Sequence, residues 1–346
     1  MTDQIISRVI GKLGHITLNR PKALNALTLD MVQEMTRLMV SWEADENIGA
    51  VIVDGAGDRA FCAGGDVILL HDSGKAGDSR AEQFWREEYI LNEYISRYAK
   101  PYISLIDGFV MGGGVGLSVH GRLRIAGDNT LFAMPETGIG YFPDVGGSYF
   151  LPRLPDHAGN WLGLTGARID KDMAYALGVA NAYVPSDQHS ALIDALGEAS
   201  LDGSDGAVAN VIMQFVQTTN PVIKPAGLSC FGQATVPAIL RALDKQSDEW
   251  SAKQAASIRK KSPLAIMTTF EALRQGRRLN FRSAMEQELN ISLGFLETQD
   301  FYEGIRAQLI DKDRNPKWSH DSVDRVNDAQ SLRIFRKRAK PLDFIA

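Results

Sequence analysis

The sequence has little cysteine, no long apolar run and no excess of positive charge, and each shortage excludes a class of protein. Two cysteines, Cys62 and Cys230, cannot form the disulfide framework of a small secreted domain. No uninterrupted apolar stretch approaches the roughly 20 residues of a membrane-spanning helix. Lys and Arg number 37 against 42 Asp and Glu, a net charge of −5, so no general binding to nucleic acid or to an anionic membrane is expected.

The cellular compartment and the absence of a histidine metal site are also predicted from features that the sequence lacks. An export signal has a basic region followed by an apolar one. Residues 1–14 do not show this pattern, so export is not expected. With so few cysteines, a reducing, cytoplasmic location is expected. The six histidines show no pairing at positions i and i+3 or i+4, so no metal site built on histidines is predicted.

What the sequence does have is an ordinary globular composition in 346 residues, with 45% hydrophobic and 23% charged side chains. This length predicts one or two compact domains. In the first part of the chain, short strand patterns alternate with loops and helical spacing, which predicts a mixed α/β core over 1–200. After an Asp-, Ser- and Gly-rich stretch at 186–206, helical spacing dominates and predicts a mainly helical C-terminal region over 201–346.

Side chains that cap helices predict where three helices begin. Thr28 precedes apolar residues with helical spacing over 29–39. Ser262 and Ser283 are candidate caps for helices over 263–276 and 284–298. The last two helices lie in the predicted C-terminal region.

Many of the 32 glycines are concentrated in loops at 61–67, 111–116 and 143–148. None of these fits a phosphate-binding loop, because GxxxxGK[ST] is absent and Val119 stands where the third glycine of a GxGxxG motif should be. The second loop lies between a strand pattern and a helix, where free N–H groups suit an anion or a developing oxyanion. A tight strand-to-helix turn explains the same glycines equally well.

Three carboxylates are candidates for chemistry, each with a structural alternative. Glu136 stands in an apolar stretch, where desolvation would raise its pKa toward that of a general base; local backbone N–H groups could equally satisfy it. Asp144 is either a second carboxylate of the same site or a turn-forming residue. Glu88 lies in an amphipathic segment at 84–89, for which a solvated helix face is the simpler interpretation. Cys62 is interpreted as a small buried residue rather than a nucleophile.

Together these segments resemble the crotonase, or enoyl-CoA hydratase/isomerase, superfamily over nearly the whole chain. The resemblance is carried by residues 19–27, 61–66, 84–89, 111–121, 132–147, 300–313 and 316–318. It implies a spiral of ββα units completed by a mainly helical C-terminal region, and an acyl-CoA substrate with no separate cofactor. A homo-oligomer, a trimer or hexamer, is also implied.

The resemblance also implies roles for residues at matching positions. The N–H groups of Gly65 and Gly113 would hold the thioester carbonyl, and Ala63, Gly64 and Gly112 would let CoA lie against the backbone. Glu136 and Asp144 would be catalytic, and Glu88 would bind the polar end of the acyl group.

One departure from the hydratases points to a branch of the superfamily that hydrolyses thioesters. Hydratases carry a first catalytic glutamate just after the glycine triplet, and this chain has Gly116 there. The remaining Glu136, with Asp144, resembles the hydrolase pattern and implies cleavage of a short branched 3-hydroxyacyl-CoA, most closely 3-hydroxyisobutyryl-CoA from valine breakdown. A hydratase or isomerase using Glu136 alone and a non-catalytic acyl-CoA-binding protein are the alternatives.

Overall fold

The computed structural model describes residues 3–346, in which the strands all precede residue 184. The strands are β1 (Ile5–Ile10), β2 (Leu13–Leu18), β3 (Ala50–Gly55), β4 (Ala60–Cys62), β5 (Tyr102–Ile106), β6 (Phe109–Met111), β7 (Leu123–Ala126), β8 (Leu131–Ala133), β9 (Ile169–Asp170) and β10 (Ala182–Tyr183). They form one sheet in the order β1-β2-β3-β5-β7-β10 and a second in the order β4-β6-β8-β9.

Helices connect many of the strands, and after β10 all the regular secondary structure is helical. They are α1 (Leu29–Ala44), α2 (Val67–Ala76), α3 (Arg80–Arg97), α4 (Gly113–Ser118), α5 (Gly147–Phe150), α6 (Ala158–Thr165), α7 (Lys171–Ala176), α8 (His189–Glu198), α9 (Asp205–Ile212), α10 (Val236–Asp244), α11 (Glu249–Lys260), α12 (Pro263–Gly276), α13 (Phe281–Phe295), α14 (Gln299–Ile305) and α15 (Asp328–Ile334). None of them, within residues 3–346, is long and apolar enough to cross a membrane.

The strand order shows how the chain spirals. Three consecutive strand pairs, β3–β4, β5–β6 and β7–β8, each give one strand to the first sheet and one to the second. In the first sheet β3, β5 and β7 run parallel to one another, and in the second sheet β4, β6 and β8 do the same. The first two pairs are each followed by helix, so the predicted mixed α/β spiral with a helical C-terminal region is confirmed.

The first sheet separates two apolar clusters. Val51 and Val53 of β3 face the larger cluster, whereas Ile52 between them faces a smaller one, as the two-residue period of a strand requires. Val208 and Ile212 of α9 belong to the smaller cluster, so packing continues past residue 200. The division of the chain into 1–200 and 201–346 stays a prediction.

Two of the three predicted caps are where the sequence placed them. Thr28 Oγ1 accepts a hydrogen bond from the Met31 N–H, and Ser262 Oγ accepts one from the Ala265 N–H. Ser283 as the cap of α13 is wrong. Asn280 caps that helix by accepting from the N–H of Ser283, so the helix starts earlier than expected, with Ser283 in its first turn.

Candidate active site

A cavity of about 1070 Å³ lies between α3, the segments that follow β2, β4, β6 and β8, and residues of the C-terminal region. The residues that the sequence predicts for catalysis or substrate binding all line it: Ala63, Gly64, Gly65, Glu88, Gly112, Gly113, Glu136 and Asp144. They come from the loop after β4, from α3, from the turn between β6 and α4, and from the segment after β8. The structure brings these residues together, and the roles assigned to them stay predictions.

The glycine loops after β4 and β6 contact each other so closely that side chains would not fit. A Cβ atom on Gly112 would lie 3.1 Å from Cα of Gly64, and one on Gly113 would lie 2.6 Å from Oε1 of Glu88. Gly64 (φ 120°) and Gly112 (φ 46°) also have backbone conformations that other residues rarely adopt. Because these residues are glycines, the two loops can approach each other and the space beside their backbone stays free of side chains.

Local hydrogen bonding leaves the N–H groups of Gly65 and Gly113 available to a ligand. Gly113 is the first residue of α4, where an N–H has no acceptor within the helix. On either side of Gly65, the Leu27 N–H donates to the Gly64 carbonyl (2.8 Å) and the Asp66 N–H donates to the Leu27 carbonyl (3.0 Å). The N–H of Gly65 therefore points away from Leu27, because successive backbone groups alternate in direction. Two such donors in one cavity suit a carbonyl that becomes an oxyanion.

Glu136 opens a short 3₁₀ helix, Glu136–Ile139, and its side chain is buried. Its Oε2 atom has no hydrogen-bond partner among residues 3–346, and Oε1 lies 3.5 Å from where a Cβ on Gly112 would be. Burial, and then the charge of Asp144, raise the pKa of Glu136 well above its usual range, while its own N–H and the Lys261 ammonium act in the opposite direction. A desolvated carboxyl group with a free oxygen is suited to accept a proton or to attack an electrophile.

Glu88 lies on the buried face of α3, with 2% of its surface exposed. Its Oε1 atom also has no partner in the part of the chain that the structure describes. Burial raises the pKa of Glu88 well above its usual range, and the charges of Asp144 and Glu288 raise it further. The alternative of a solvated helix face is wrong for Glu88, because α3 turns this residue toward the cavity.

Asp144 is buried and accepts hydrogen bonds from two phenols. Tyr89 Oη donates to its Oδ2 atom at 2.7 Å and Tyr141 Oη at 3.2 Å. Burial raises the pKa of Asp144 to about 6, although these hydroxyls act to lower it. The backbone carbonyl of Asp144 accepts from the Gly147 N–H (2.7 Å), so the turn is made by the main chain and the side chain is left for the site.

Position 116 has no room for a side chain. A Cβ atom on Gly116 would lie 2.8 Å from Nδ2 of Asn92 and 2.8 Å from Cβ of Val145. Both neighbours are fully or almost fully buried. A glutamate at this position would require α3 or the loop at 143–148 to move.

Cys62 is buried in this site, as the sequence predicts. Burial raises the pKa of the Cys62 thiol to about 12, which disfavours the thiolate that a nucleophile needs. Among residues 3–346, no group of three or more His, Cys, Asp or Glu side chains is arranged so that it could hold a metal ion.

The sequence prediction missed the side chains that distant segments bring to the cavity. Arg168, Lys261, Phe301 and Arg314 line it, although each is more than 20 residues from the nearest predicted site residue. No local motif connects these positions to the glycine loops. Only Phe301 among the four carried a signal, since it belongs to the 300–313 segment that resembles the superfamily.

A sequence model of the family described as Enoyl-CoA hydratase/isomerase matches residues 13–335. The chain belongs to the enoyl-CoA hydratase/isomerase family. Curated relatives within the family are named 3-hydroxyisobutyryl-CoA hydrolase, mitochondrial. The protein from Danio rerio is 42% identical over 94% of this chain and 87% of its own length, and that from Homo sapiens is 39% identical over 94% and 86%.

Solved structures of the family share the fold under different names. One titled a carnitinyl-CoA dehydratase, from Mycobacterium thermoresistibile, is 38% identical with a TM-score of 0.91 and covers 99% of both chains. One titled an enoyl-CoA hydratase, from Rhodobacter sphaeroides, is 37% identical with a TM-score of 0.86, covering 96% of this chain and 97% of its own. The fold of the family is thus common to members named for different reactions, and the site residues must distinguish them.

Proposed function

We propose that the protein hydrolyses a short, branched 3-hydroxyacyl-CoA thioester, 3-hydroxyisobutyryl-CoA, to 3-hydroxyisobutyrate and CoA, the thioester-cleaving step of valine breakdown. The observation that carries the proposal is that an unpartnered buried glutamate, Glu136, shares one cavity with the N–H donors of Gly65 and Gly113. Curated relatives that are 38–43% identical are named for this reaction, which supports it.

In the proposed reaction the thioester carbonyl oxygen accepts hydrogen bonds from the N–H groups of Gly65 and Gly113. As an oxygen nucleophile adds to the carbonyl carbon, the π electron pair moves to the carbonyl oxygen, where the two donors stabilise the charge. A single donor of this kind is worth about 10²–10³-fold in rate. Collapse of the adduct breaks the C–S bond, and the sulfur leaves with the electron pair and takes a proton to give the CoA thiol.

Glu136 can supply the nucleophile by two routes. As a general base it takes a proton from water while that water attacks; as a nucleophile it forms a mixed anhydride, which water then cleaves. Borohydride added during turnover distinguishes the routes. It reduces an anhydride at Glu136 and changes the mass of the peptide containing that residue, whereas the general-base route leaves the mass unchanged.

The acyl end of the substrate is assigned to Glu88 and Asp144, which line the cavity beside Glu136. A substrate hydroxyl can both donate and accept a hydrogen bond. Since the pKa values of both carboxyl groups are raised, one can be protonated and donate while the other is ionised and accepts. This pair favours a 3-hydroxyacyl group over an unsubstituted one.

The CoA phosphates are assigned to three cations of the cavity wall, Arg168, Lys261 and Arg314. None of them takes part in the ion pairs found within residues 3–346. An anionic ligand would supply the missing counter-charges. No separate cofactor or metal is proposed, because CoA is part of the substrate, and activity should survive dialysis against EDTA.

The main alternative is hydration or dehydration of an acyl-CoA. The two similar solved structures are titled a dehydratase and a hydratase, which is the reason to consider it. These reactions leave the thioester intact, so release of free thiol separates them from hydrolysis. The crowding at Gly116 argues against a second acid–base glutamate there. A non-catalytic acyl-CoA-binding protein would bind substrate without any turnover.

The test is an acyl-CoA panel, with and without a 3-hydroxyl, assayed for thiol release and for loss of the enoyl chromophore. We expect the wild-type chain to release thiol from 3-hydroxyisobutyryl-CoA, and Glu136→Gln to lower kcat by about 10²–10⁴-fold. Glu198→Gln, at an exposed position on α8, is the matched control and should retain wild-type activity. Thiol release at the wild-type rate by Glu136→Gln would refute the assignment.

Location and assembly are proposed separately. The curated relatives are named as mitochondrial proteins, and a cytoplasmic location for this chain stays a prediction that cell fractionation can test. A trimer or hexamer likewise stays a prediction, for which the measurement is the mass in solution.

A further inference from the structure

The loop that carries Asp144, residues 143–148, contains a backbone conformation that its sequence does not favour. Val145 has φ 50°, in the left-handed region, where a β-branched residue is an outlier. Such a conformation costs energy and persists only when the surrounding structure holds it. Other groups of the structure must therefore hold this loop.

Two side chains, His120 and the buried Glu288, hold the main chain at and after Val145. His120 Nε2–H donates to the Val145 carbonyl at 2.7 Å. Glu288 of α13 accepts from the Gly146 N–H (2.7 Å) and from the N–H and hydroxyl of Ser148 (2.9 and 2.5 Å). Both Glu288 oxygens are thus engaged by the loop.

The same face of α13 also contacts the groups around Asp144 itself. Ser292, one turn after Glu288, has its hydroxyl oxygen 2.8 Å from Tyr89 Oη and 2.6 Å from Tyr141 Oη. These are the two phenols that donate to Asp144. One helix of the C-terminal region therefore holds both the backbone of the loop and the partners of its carboxylate.

Glu288 does not itself form part of the cavity wall. Its side chain is 0% exposed, and the residues lining the cavity do not include it. An acyl-CoA in the cavity would contact Asp144 and not Glu288. Any effect of Glu288 on the reaction must pass through the loop.

We propose that Glu288 is a positioning residue, which fixes the 143–148 loop so that the Asp144 carboxylate is held in the cavity at the acyl end of the substrate. The inference rests on the proposed function, since it assumes that Asp144 acts in thioester hydrolysis. A displacement of about 1 Å in such a group can lower the rate about 10²-fold.

The experiment measures kcat and KM for thiol release from 3-hydroxyisobutyryl-CoA in wild type, Glu288→Ala and Glu288→Gln. Glu288→Ala should lower kcat about 10²-fold and raise KM as well, because the displaced Asp144 no longer contacts the acyl end of the substrate correctly. Glu288→Gln should lie between the two, since one oxygen can still accept from Ser148. Glu286→Ala, on the same helix and at a position whose side chain forms no hydrogen bond to residues 143–148, should match wild type.

A double-mutant cycle with Asp144→Asn distinguishes positioning from a general structural role. If Glu288 acts through Asp144, adding Glu288→Ala to Asp144→Asn should lower kcat by less than about twofold. The full loss on top of Asp144→Asn would overturn the proposal, as would an unchanged kcat in Glu288→Ala alone. If Glu288→Ala does not fold, Ser148→Ala, which removes only the hydroxyl donor, replaces it in the same cycle with a smaller expected loss.

Failure of the proposed function and failure of the positioning role give different results. Wild-type protein that releases no thiol from any 3-hydroxyacyl-CoA overturns the proposed function and this inference together. Wild-type protein that is active, with Glu288→Ala equally active, overturns the positioning role alone.

Discussion

At the scale of single residues, three buried carboxylic acids, Glu88, Glu136 and Glu288, lie within reach of the charge of a fourth, Asp144. None forms an ion pair in residues 3–346, and the pKa of each is raised by burial. Repulsion from the Asp144 charge adds to the pKa of each of the other three. Such a cluster does not ionise fully near neutral pH, so the same residue type can serve as acid and base.

Substitution of Asp144 should change the pH profile in a defined direction. Because the Asp144 charge raises the pKa of Glu136, Asp144→Asn should move the acid limb of log kcat/KM to lower pH while lowering its plateau. In wild type, activity should fall as the pH drops through about 6, where Asp144 is protonated. Thiol-release assays from pH 4.5 to 8.5 measure both effects. An acid limb that does not move in Asp144→Asn would contradict this coupling.

At the scale of elements, the C-terminal helix α14 and the segment that carries Glu136 are in backbone contact. A Cβ atom on Gly140 would lie 2.1 Å from the Asp300 carbonyl oxygen, and one on Gly304 would lie 2.2 Å from the Ile139 carbonyl carbon. No rotamer change relieves a contact with main chain. These glycines allow α14 to seat directly on the 3₁₀ helix that begins at Glu136.

Gly304→Ala should therefore affect both stability and turnover. The added methyl group forces α14 away from Glu136–Ile139, with an expected loss of about 1–3 kcal/mol in the free energy of unfolding. The kcat should fall as well, because the displaced segment carries Glu136, the proposed catalytic glutamate. Urea unfolding and thiol release measure the two effects. Gly206→Ala on α9, with no neighbouring atom closer than 3.9 Å, is the control, and equal behaviour of the two variants would contradict the expectation.

The sequence alone predicts those site residues that stand in short stretches of unusual composition. The glycine loops, Glu136 and Asp144 stand in continuous stretches whose composition is unusual, and they meet in one cavity. Glu288 and Lys261 carry no such signal, because each sits in an ordinary amphipathic helix or at its end and reaches the site only through tertiary packing. The cap of α13 failed for a simpler reason, since Asn280 and Ser283 are both good capping residues and lie three positions apart.

At the scale of the whole molecule, the C-terminal region is tied to α3 along its length. Arg282 forms an ion pair with Glu93 at 2.8 Å, and Arg86 donates to the carbonyl groups of Lys340 and Pro341. Ala339 and Leu342 are buried in the main apolar cluster. The helix that carries Glu88 is therefore covered by the last residues of the chain.

The buried carboxyl groups should make the stability of the whole molecule fall as the pH rises. Burial raises the pKa of Glu288 from 4.5 to about 8, so the folded state binds more protons than the unfolded state up to that pH. Stability from this group is complete below about pH 4.5 and is lost as the pH rises through 8. The free energy of unfolding of wild type should decrease between pH 7 and 9, and in Glu288→Gln this decrease should be smaller by about 1 kcal/mol.

Urea unfolding at pH 7 and pH 9 measures this difference, with Glu286→Gln as the control. Starting at pH 7 avoids His120, whose pKa burial lowers to about 4 and which is charged only in the unfolded state at mildly acidic pH. An equal fall in wild type and Glu288→Gln would show that Glu288 does not titrate in this range.

The seating of the last residues on α3 has a consequence for the order of events during synthesis. Chains emerge from the ribosome with the amino terminus first, and the strands and glycine loops precede residue 184. Lys261, Glu288 and Phe301 come more than 70 residues after the last strand. A nascent chain can thus form its sheets before the residues that complete the wall of the cavity have been synthesised.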